Sequence, residues 1–222
     1  MIKIKRKQTK GFASFGDVEI SSLEGTIVPC FFPEAGEMTI KEIIERLNHY
    51  YSYERVNSSL KSLAEKKIVV EKQTGKTLVY SLDLENIYVY SMGFNAYLLE
   101  RETDFIRKHR EVYKAIQEIE NHPSSWGVIL FGSYSKGTET KQSDIDLMVT
   151  CFPGKEKEVE SFVKSLKHKY GISISLVVLP MYEFPNIKKE NPELWEDLRL
   201  YGIVFKGDDT FYSWMYKNDK WH

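Results

Sequence analysis

A glycine-serine pair and an aspartate pair, separated by ten residues, carry the most distinctive chemistry in this chain. Gly132 and Ser133 follow the apolar run Trp126–Phe131, and Asp144 and Asp146 open a second apolar run. Side chains alternate between the two faces of an extended strand, so both carboxylates point the same way, about 7 Å apart along the strand. Carboxylates so placed suit Mg²⁺ or Mn²⁺. The glycine-serine turn suits phosphate oxygens, so the spacing predicts metal-assisted handling of a nucleoside triphosphate.

This stretch resembles the nucleotidyltransferases of the DNA polymerase beta superfamily, especially the minimal, antitoxin-type branch. The signature of that family is Gly-Ser, ten residues and Asp-x-Asp, and the resemblance covers roughly residues 103–208. It implies Mg²⁺ or Mn²⁺ and a nucleoside triphosphate, expected to be ATP, as cofactors. The resemblance also implies catalytic and metal-binding roles for Asp144 and Asp146, and nucleotide contacts from Gly132, Ser133 and Lys136. The alternative is a strand–turn–strand with two surface aspartates, which would give an Asp pair in an apolar strand no packing use.

The family pattern is incomplete on the next predicted strand, Ile172–Leu179. Active members of the superfamily usually carry a third carboxylate there, whereas this chain has Ser173 and Ser175 on the corresponding face. Serine is a poor metal ligand and a poor general base, and each of those contributions is worth orders of magnitude in rate. Three options stay open: slow turnover, a base supplied by water or substrate, and nucleotide binding without turnover. Tyr134 also stands where relatives often have arginine, which weakens the expected phosphate contact.

The front half of the chain has a second recognisable order of elements. Thr39 is predicted to cap a helix whose apolar residues recur at helical spacing. A second helix is predicted over Tyr53–Lys67, with Val56, Leu60 and Leu63 on its buried face. Two strand-like runs follow, Ile68–Glu71 and Thr77–Leu82, joined by the glycine-containing turn Lys72–Lys76. Helix, turn, helix and hairpin in this order resemble a winged helix-turn-helix domain.

That resemblance implies binding of double-stranded DNA, with the second helix in the major groove and the hairpin near phosphates. The DNA-binding residues that it implies are Tyr53, Arg55, Asn57, Ser58, Lys61, Lys72 and Lys76. The alternative is a winged helix that serves only as a protein–protein or dimerisation module. Residues 1–90 hold 13 Lys and Arg against 12 Asp and Glu, so charge gives the DNA interpretation little support.

Together these features predict an α+β protein of three parts. A winged helix-turn-helix domain is expected over residues 1–85, a helical connector over 86–121, and a nucleotidyltransferase-like mixed sheet with flanking helices over 122–222. The connector is rich in aromatic residues and includes a predicted amphipathic helix, Glu102–Glu120. Its aromatic residues suit packing or a dimer contact, so a homodimer is expected.

Composition says more about the cellular compartment that the protein suits than about its function. The net charge of −1 favours no general attraction to nucleic acid, and two cysteines without a zinc pattern favour a reducing cytoplasm. No run is long enough to span a membrane, and no signal peptide is apparent. The basic residues among the first ten predict either a DNA-contacting arm or a solubilising terminus.

Three functions are compatible with the sequence. The first is a DNA-binding transcriptional regulator whose back domain binds a metal–nucleoside triphosphate. The second is an active nucleotidyltransferase that transfers a nucleoside monophosphate to a protein hydroxyl or another acceptor. The third is an adaptor in which both modules have lost their ligands.

Overall fold

The structure, a computed structural model, describes residues 18–217 and divides them into two compact units. The first unit comprises the described residues up to Phe31 together with Ala35–Gly93. The second comprises Phe32–Glu34 and the described residues from Phe94 onward. The basic residues near the N-terminus lie outside the described residues, and the three-part division expected from the sequence stays a prediction.

The first unit contains three helices and a hairpin. Its elements are α1 (Ser22–Ile27), a 3₁₀ turn (Val28–Phe31), α2 (Ile40–Arg46), α3 (Tyr53–Glu65), β1 (Val69–Thr74) and β2 (Thr77–Leu82). Thr39 begins α2 through a capping box. Its hydroxyl accepts a hydrogen bond from the backbone amide of Glu42, and the Glu42 carboxylate accepts one from the backbone amide of Thr39 at 2.7 Å. Val56, Leu60 and Leu63, all fully buried, form the inner face of α3. The helical spacing read from the sequence therefore identified the buried face correctly.

The hairpin differs from the expected one in where it turns. β1 continues to Thr74, which pairs with Thr77, so only Gly75 and Lys76 form the turn. A two-residue connection matches the twist of the paired strands, which explains why pairing extends through the segment expected to be a loop. Lys72 therefore lies within β1 opposite Val79, and the prediction that it belongs to the turn at the tip of the hairpin was wrong.

The second unit begins with helices that the sequence predicted as one. The chain passes through a π-helical turn (Val89–Phe94) into α4 (Asn95–Lys108) and then α5 (Arg110–Glu120). The expected continuous helix Glu102–Glu120 is interrupted at His109, whose backbone angles of φ −130° and ψ 48° are not helical. The His109 ring packs against the rings of Phe105 and Tyr134, with centroids 5.0 and 5.2 Å away. Tertiary packing here overrides local helix propensity.

A four-stranded mixed sheet forms the centre of the second unit. Its elements are β3 (Ser125–Phe131), α6 (Gly132–Lys136), β4 (Ile145–Cys151), α7 (Glu156–Tyr170), β5 (Ile174–Pro180), a 3₁₀ turn (Met181–Asn186), α8 (Ile187–Glu190), α9 (Pro192–Tyr201), β6 (Ile203–Lys206) and α10 (Asp208–Tyr216). The strand order is β5-β4-β3-β6. β4 and β5 are parallel, and β3 is antiparallel to β4 and to β6.

Apolar residues of the sheet pack with helices α5 and α7 into one core. Val128, Leu147 and Val163 belong to this cluster and are at most 1 % exposed. Strands buried in this way are almost continuously apolar, so a polar residue within β4 stands out. The α+β fold class expected from the sequence is confirmed. Within residues 18–217, no helix combines the length and apolar character needed to cross a membrane.

Candidate functional site

Gly132 places the end of one strand directly against a carboxylate of the next. β3 and β4 are paired so that Phe131 lies opposite Asp146, and Gly132 follows at once with φ +69°. A Cβ atom on Gly132 would stand 2.1 Å from Oδ2 of Asp146 and 2.8 Å from its Cγ. Any side chain at position 132 would therefore collide with Asp146 and would also strain the backbone. The two halves of the sequence motif meet here.

The two aspartates differ in their surroundings. Asp146 is the second residue of β4 and is half-buried, whereas Asp144 lies just before the strand and is exposed. Burial raises the pKa of Asp146 above its ordinary value. A hydrogen bond from Ser175 and the charge of Lys136 oppose this rise, and the charges of Asp144 and Asp197 add to it. Asp146 thus lies at the centre of a small charged network.

Ser175 occupies the place beside the aspartate pair where an acid would stand in the family pattern. The parallel register of β4 and β5 pairs Asp146 with Ser175, so the two side chains are neighbours on one face of the sheet. Ser173 lies just before β5, and its carbonyl accepts the amide of Ile145 at 2.9 Å. No group of three or more His, Cys, Asp or Glu side chains within residues 18–217 is arranged to bind a metal ion. The donor set is therefore two carboxylates.

Two carboxylates fit one mode of metal binding in particular. Mg²⁺ usually keeps several waters and is bound through one or two carboxylates together with substrate phosphates. Asp144 and Asp146 offer the carboxylates, and the backbone of the Gly132–Ser133 turn lies directly against Asp146. The residues thus fit a metal that arrives with its nucleotide.

Lys136, at the end of α6, forms an ion pair with Asp197 of α9. Its ammonium also lies 5.0 Å from the centroid of the Tyr201 ring. Sequence reasoning missed both partners, although a signal for them was present. Asp197 and Tyr201 are four residues apart, so on a helix they share one face.

Arg101 of α4 connects the ends of α6 and α9. Its guanidinium donates to the carbonyl of Ser135 at 3.0 Å and to the carbonyl of Tyr201 at 2.6 Å. It also donates to the hydroxyl of Tyr97 at 2.7 Å and to the carbonyl of Leu200 at 3.3 Å. Carbonyls at the end of a helix lack intrahelical partners, and a planar guanidinium can satisfy several at once. Arg101 thereby supports the position of Lys136 through the backbone of both helices.

Tyr134 does not replace the arginine for which it stands in the motif. Its ring packs against the apolar core of the sheet and meets the ring of His109 edge-on, 5.2 Å between centroids. Lys136 and Tyr134 are the two residues that the sequence motif places near the phosphates. Lys136 carries a charge near the aspartates, whereas Tyr134 carries no charge there.

In the first unit, most of the candidate DNA-contacting side chains lie on the exposed face of α3. Tyr53, Arg55, Ser58 and Lys61 are exposed, and Asn57 is half-buried. The Arg55 guanidinium lies 5.1 Å from the centroid of the Tyr51 ring.

The remaining candidates in this unit lie on the hairpin, where Lys76 is exposed at the turn. Lys72 pairs with Glu37 at 2.6 Å. Sequence reasoning missed Tyr50, which precedes α3 and is 82 % exposed. Its ring meets the ring of Tyr51 edge-on, with centroids 5.1 Å apart.

Two family models match the chain, one in each half. Residues 20–90 match the penicillinase repressor family, and residues 106–201 match the nucleotidyltransferase domain family. The chain therefore joins a repressor-type winged helix-turn-helix domain to a nucleotidyltransferase domain. Both resemblances drawn from the sequence are confirmed.

The similarity to curated relatives lies in the second of these domains. Three proteins of Methanocaldococcus jannaschii, all provisionally named protein adenylyltransferases, are 30 %, 29 % and 28 % identical over 94 residues, which is 40 % of this chain. The match spans 63 % of the first relative and 87 % of each of the other two. A crystal structure of a toxin–antitoxin with AMP-PNP resembles 47 % of this chain and 79 % of its own, with 22 % identity and a TM-score of 0.31.

Proposed function

We propose that this chain is a transcriptional regulator that binds double-stranded DNA through its first unit and a metal–nucleoside triphosphate through its second. The observation that carries the nucleotide half is the contact of Gly132 with Asp146, which leaves no space for a side chain at the turn. This contact brings the Gly132–Ser133 turn, which suits phosphate oxygens, next to a carboxylate that suits the accompanying metal ion. The provisional names of the relatives favour ATP over other nucleotides.

Each residue of the second site has a role in this proposal. Gly132 and Ser133 would contact phosphate oxygens, and Lys136 would offset part of their negative charge. Asp144 and Asp146 would bind Mg²⁺ or Mn²⁺, which would stabilise charge on the phosphates. Lys136 is paired with Asp197, so a bound triphosphate must share or displace that partner.

The DNA half rests on the exposed face of α3 and on the hairpin. Tyr53, Arg55, Asn57, Ser58 and Lys61 would face the major groove, with Lys76 near a phosphate at the turn. Lys72 would reach DNA only by giving up Glu37, because the two side chains are paired. We further propose that the chain acts as a homodimer on a palindromic operator, since two-fold symmetry is the common way to double a small contact.

A second candidate is transfer of a nucleoside monophosphate to a hydroxyl of a partner protein. It is favoured by the retained Asp144–Asp146 pair and by the names of the three relatives. In this case the winged helix would bind the acceptor or form the dimer. The missing third carboxylate counts against fast turnover.

The nucleotide half is tested by thermal denaturation of the full chain with each nucleoside triphosphate, with and without Mg²⁺ or Mn²⁺. Binding at a hundred times Kd would add about 2.7 kcal/mol of stability. The Asp144→Ala/Asp146→Ala double variant should lose the joint effect of metal and nucleotide. A nucleotide labelled at the α-phosphate, followed for pyrophosphate release, separates binding from turnover. The absence of any joint shift in the unaltered chain would remove the nucleotide role.

The DNA half is tested by selecting bound duplexes from a random-sequence library and measuring affinity for the winners as salt is raised. Arg55→Ala and Lys61→Ala should weaken binding, and loss of a phosphate contact should lower the salt slope by about one. Lys41→Ala, an exposed lysine on α2, is the matched control and should leave affinity unchanged. Failure to enrich any sequence would leave the winged helix as a protein-binding or dimerisation module.

A further inference from the structure

Ser175 is an exposed serine on the strand next to the carboxylate nearest the proposed nucleotide. It lies in β5 opposite Asp146 in the parallel register, so the two side chains are neighbours on one face of the sheet. A serine hydroxyl can act as a nucleophile when a neighbouring group or a metal ion activates it. The family pattern would place a carboxylate here, so a hydroxyl at this position changes what the site can do.

The same aspartate lies against the turn that would bind the phosphates. The missing Cβ of Gly132 would fall 2.1 Å from Oδ2 of Asp146. A triphosphate bound at the Gly132–Ser133 turn therefore lies beside Asp146, with Ser175 on the neighbouring strand. The chain thus brings its own hydroxyl into the space that an external acceptor would otherwise need to reach.

We propose that Ser175 is a self-modification site that accepts a nucleoside monophosphate from a nucleoside triphosphate bound at this turn. The inference rests on the proposed nucleotide-binding function and deepens it by naming the acceptor. It needs no partner protein, and it gives the serine at the third-acid position a chemical role. Modification would leave a phosphodiester group beside Asp144 and Asp146, and its negative charge would disfavour binding of a second triphosphate.

The reaction is a single phosphoryl substitution. A lone pair of the Ser175 oxygen attacks the α-phosphorus and forms a new phosphorus–oxygen bond. The bond from the α-phosphorus to the bridging oxygen breaks, and its electron pair leaves with pyrophosphate. The hydroxyl proton passes to solvent water. The products are a serine-linked nucleoside monophosphate and pyrophosphate, with no change in oxidation state.

The test is incubation of the purified full chain with ATP labelled at the α-phosphate, in Mg²⁺ and separately in Mn²⁺. Covalent label is followed by intact mass and located by tandem mass spectrometry of peptides. We expect label on the peptide that contains Ser175. Ser175→Ala should lower labelling by about 100-fold or more, and Ser175→Thr, which keeps the hydroxyl, should retain part of it. Ser173→Ala, two residues earlier and also exposed, is the matched control and should label like the unaltered chain.

Thermal shift with the same nucleotide and metal separates failure of this inference from failure of the proposed function. Nucleotide binding without label would overturn the self-modification and leave nucleotide binding standing. Label that maps to another residue, or that persists in Ser175→Ala, would also overturn it. An absence of both label and thermal shift would overturn the inference together with the nucleotide role.

Discussion

Gly132→Ala is the sharpest test of the proposed nucleotide site, because two separate costs can be assigned to one added methyl group. The first cost is conformational: φ is +69°, and an L-residue in this left-handed region loses about 1–2 kcal/mol. The second is steric, because the new Cβ would be 2.1 Å from Oδ2 of Asp146. Real Cβ atoms do not approach so closely, so Asp146 must move by about 1 Å, a kind of overpacking that costs about 1–3 kcal/mol.

Gly137→Ala isolates the second cost. Gly137 has the same φ of +69°, but nothing lies within 4 Å of the position that its Cβ would occupy. Both variants share the backbone strain, and both gain a little from a less flexible unfolded chain, so Gly137→Ala should cost about 1 kcal/mol net. Gly132→Ala should cost about 2–4 kcal/mol, with the difference arising from Asp146 alone.

The assay is thermal denaturation of both variants with and without ATP and Mg²⁺. Gly137→Ala should keep most of the stabilisation by nucleotide, whereas Gly132→Ala should lose it. A misplacement of about 1 Å at a reacting group can cost about 100-fold. Equal stability loss in the two variants would show that Asp146 accommodates the methyl group freely. Nucleotide binding of unaltered strength in Gly132→Ala would refute the assignment of phosphate to this turn.

Three further predictions concern charged groups around the same sheet. Arg101→Lys should lower nucleotide affinity about tenfold, because an ammonium cannot replace the planar guanidinium that binds carbonyls at the ends of α6 and α9. Arg107→Lys is the control. Asp197→Asn should raise nucleotide affinity about fivefold in a titration, by freeing Lys136 from its partner; a loss of affinity would contradict this. Burial, and then the charge of a nearby glutamate, raises the pKa of Glu120 from 4.5 to about 7. The proton is therefore bound more tightly in the folded chain, so Glu120 destabilises the fold increasingly from pH 4.5 to about 7 and fully above that. Glu120→Gln should add about 1 kcal/mol at pH 8 after allowance for partial exposure, and almost nothing at pH 4.5; an equal gain at both values would contradict the titration.

The parts of the fold that the sequence predicted well are those set by local rules. The capping box at Thr39 fixed the start of α2, and the periodicity of Val56, Leu60 and Leu63 fixed the buried face of α3. Proline favours a first helical position, and α9 begins at Pro192.

The predictions that failed were set by tertiary packing. The break at His109 lies inside a run that is helical by composition, and the contacts of its ring with Phe105, Tyr134 and Glu139 come from the folded structure. The hairpin turn was predicted too long because Lys72 and Lys76, on either side of the segment with Gly75, suggested a loop. Strand pairing with the segment from Thr77 decided instead.

The surroundings of the candidate site were likewise predictable from the sequence only in part. The spacing of Gly132 and Asp146 could be read from the sequence, since both belong to one strand–turn–strand. Which serine faces Asp146 could not be read, because the register of β4 and β5 depends on a crossover through α7. Ser173 and Ser175 share a face by alternation, and only the register distinguishes the one that lies opposite the aspartate.

The missing third carboxylate changes how strongly the site is expected to attract a metal ion. With serine opposite Asp146, a further acid whose charge acts on Asp146 is Asp197 of α9, which is paired with Lys136. A site with two ligating carboxylates and one paired acid attracts a bare divalent cation less than a site with three. The charge of a bound triphosphate would supply the difference, so metal and nucleotide should bind together or not at all. Occupancy of the second unit would then follow the concentration of the nucleotide rather than that of the metal, which is the property that a nucleotide-responsive regulator requires.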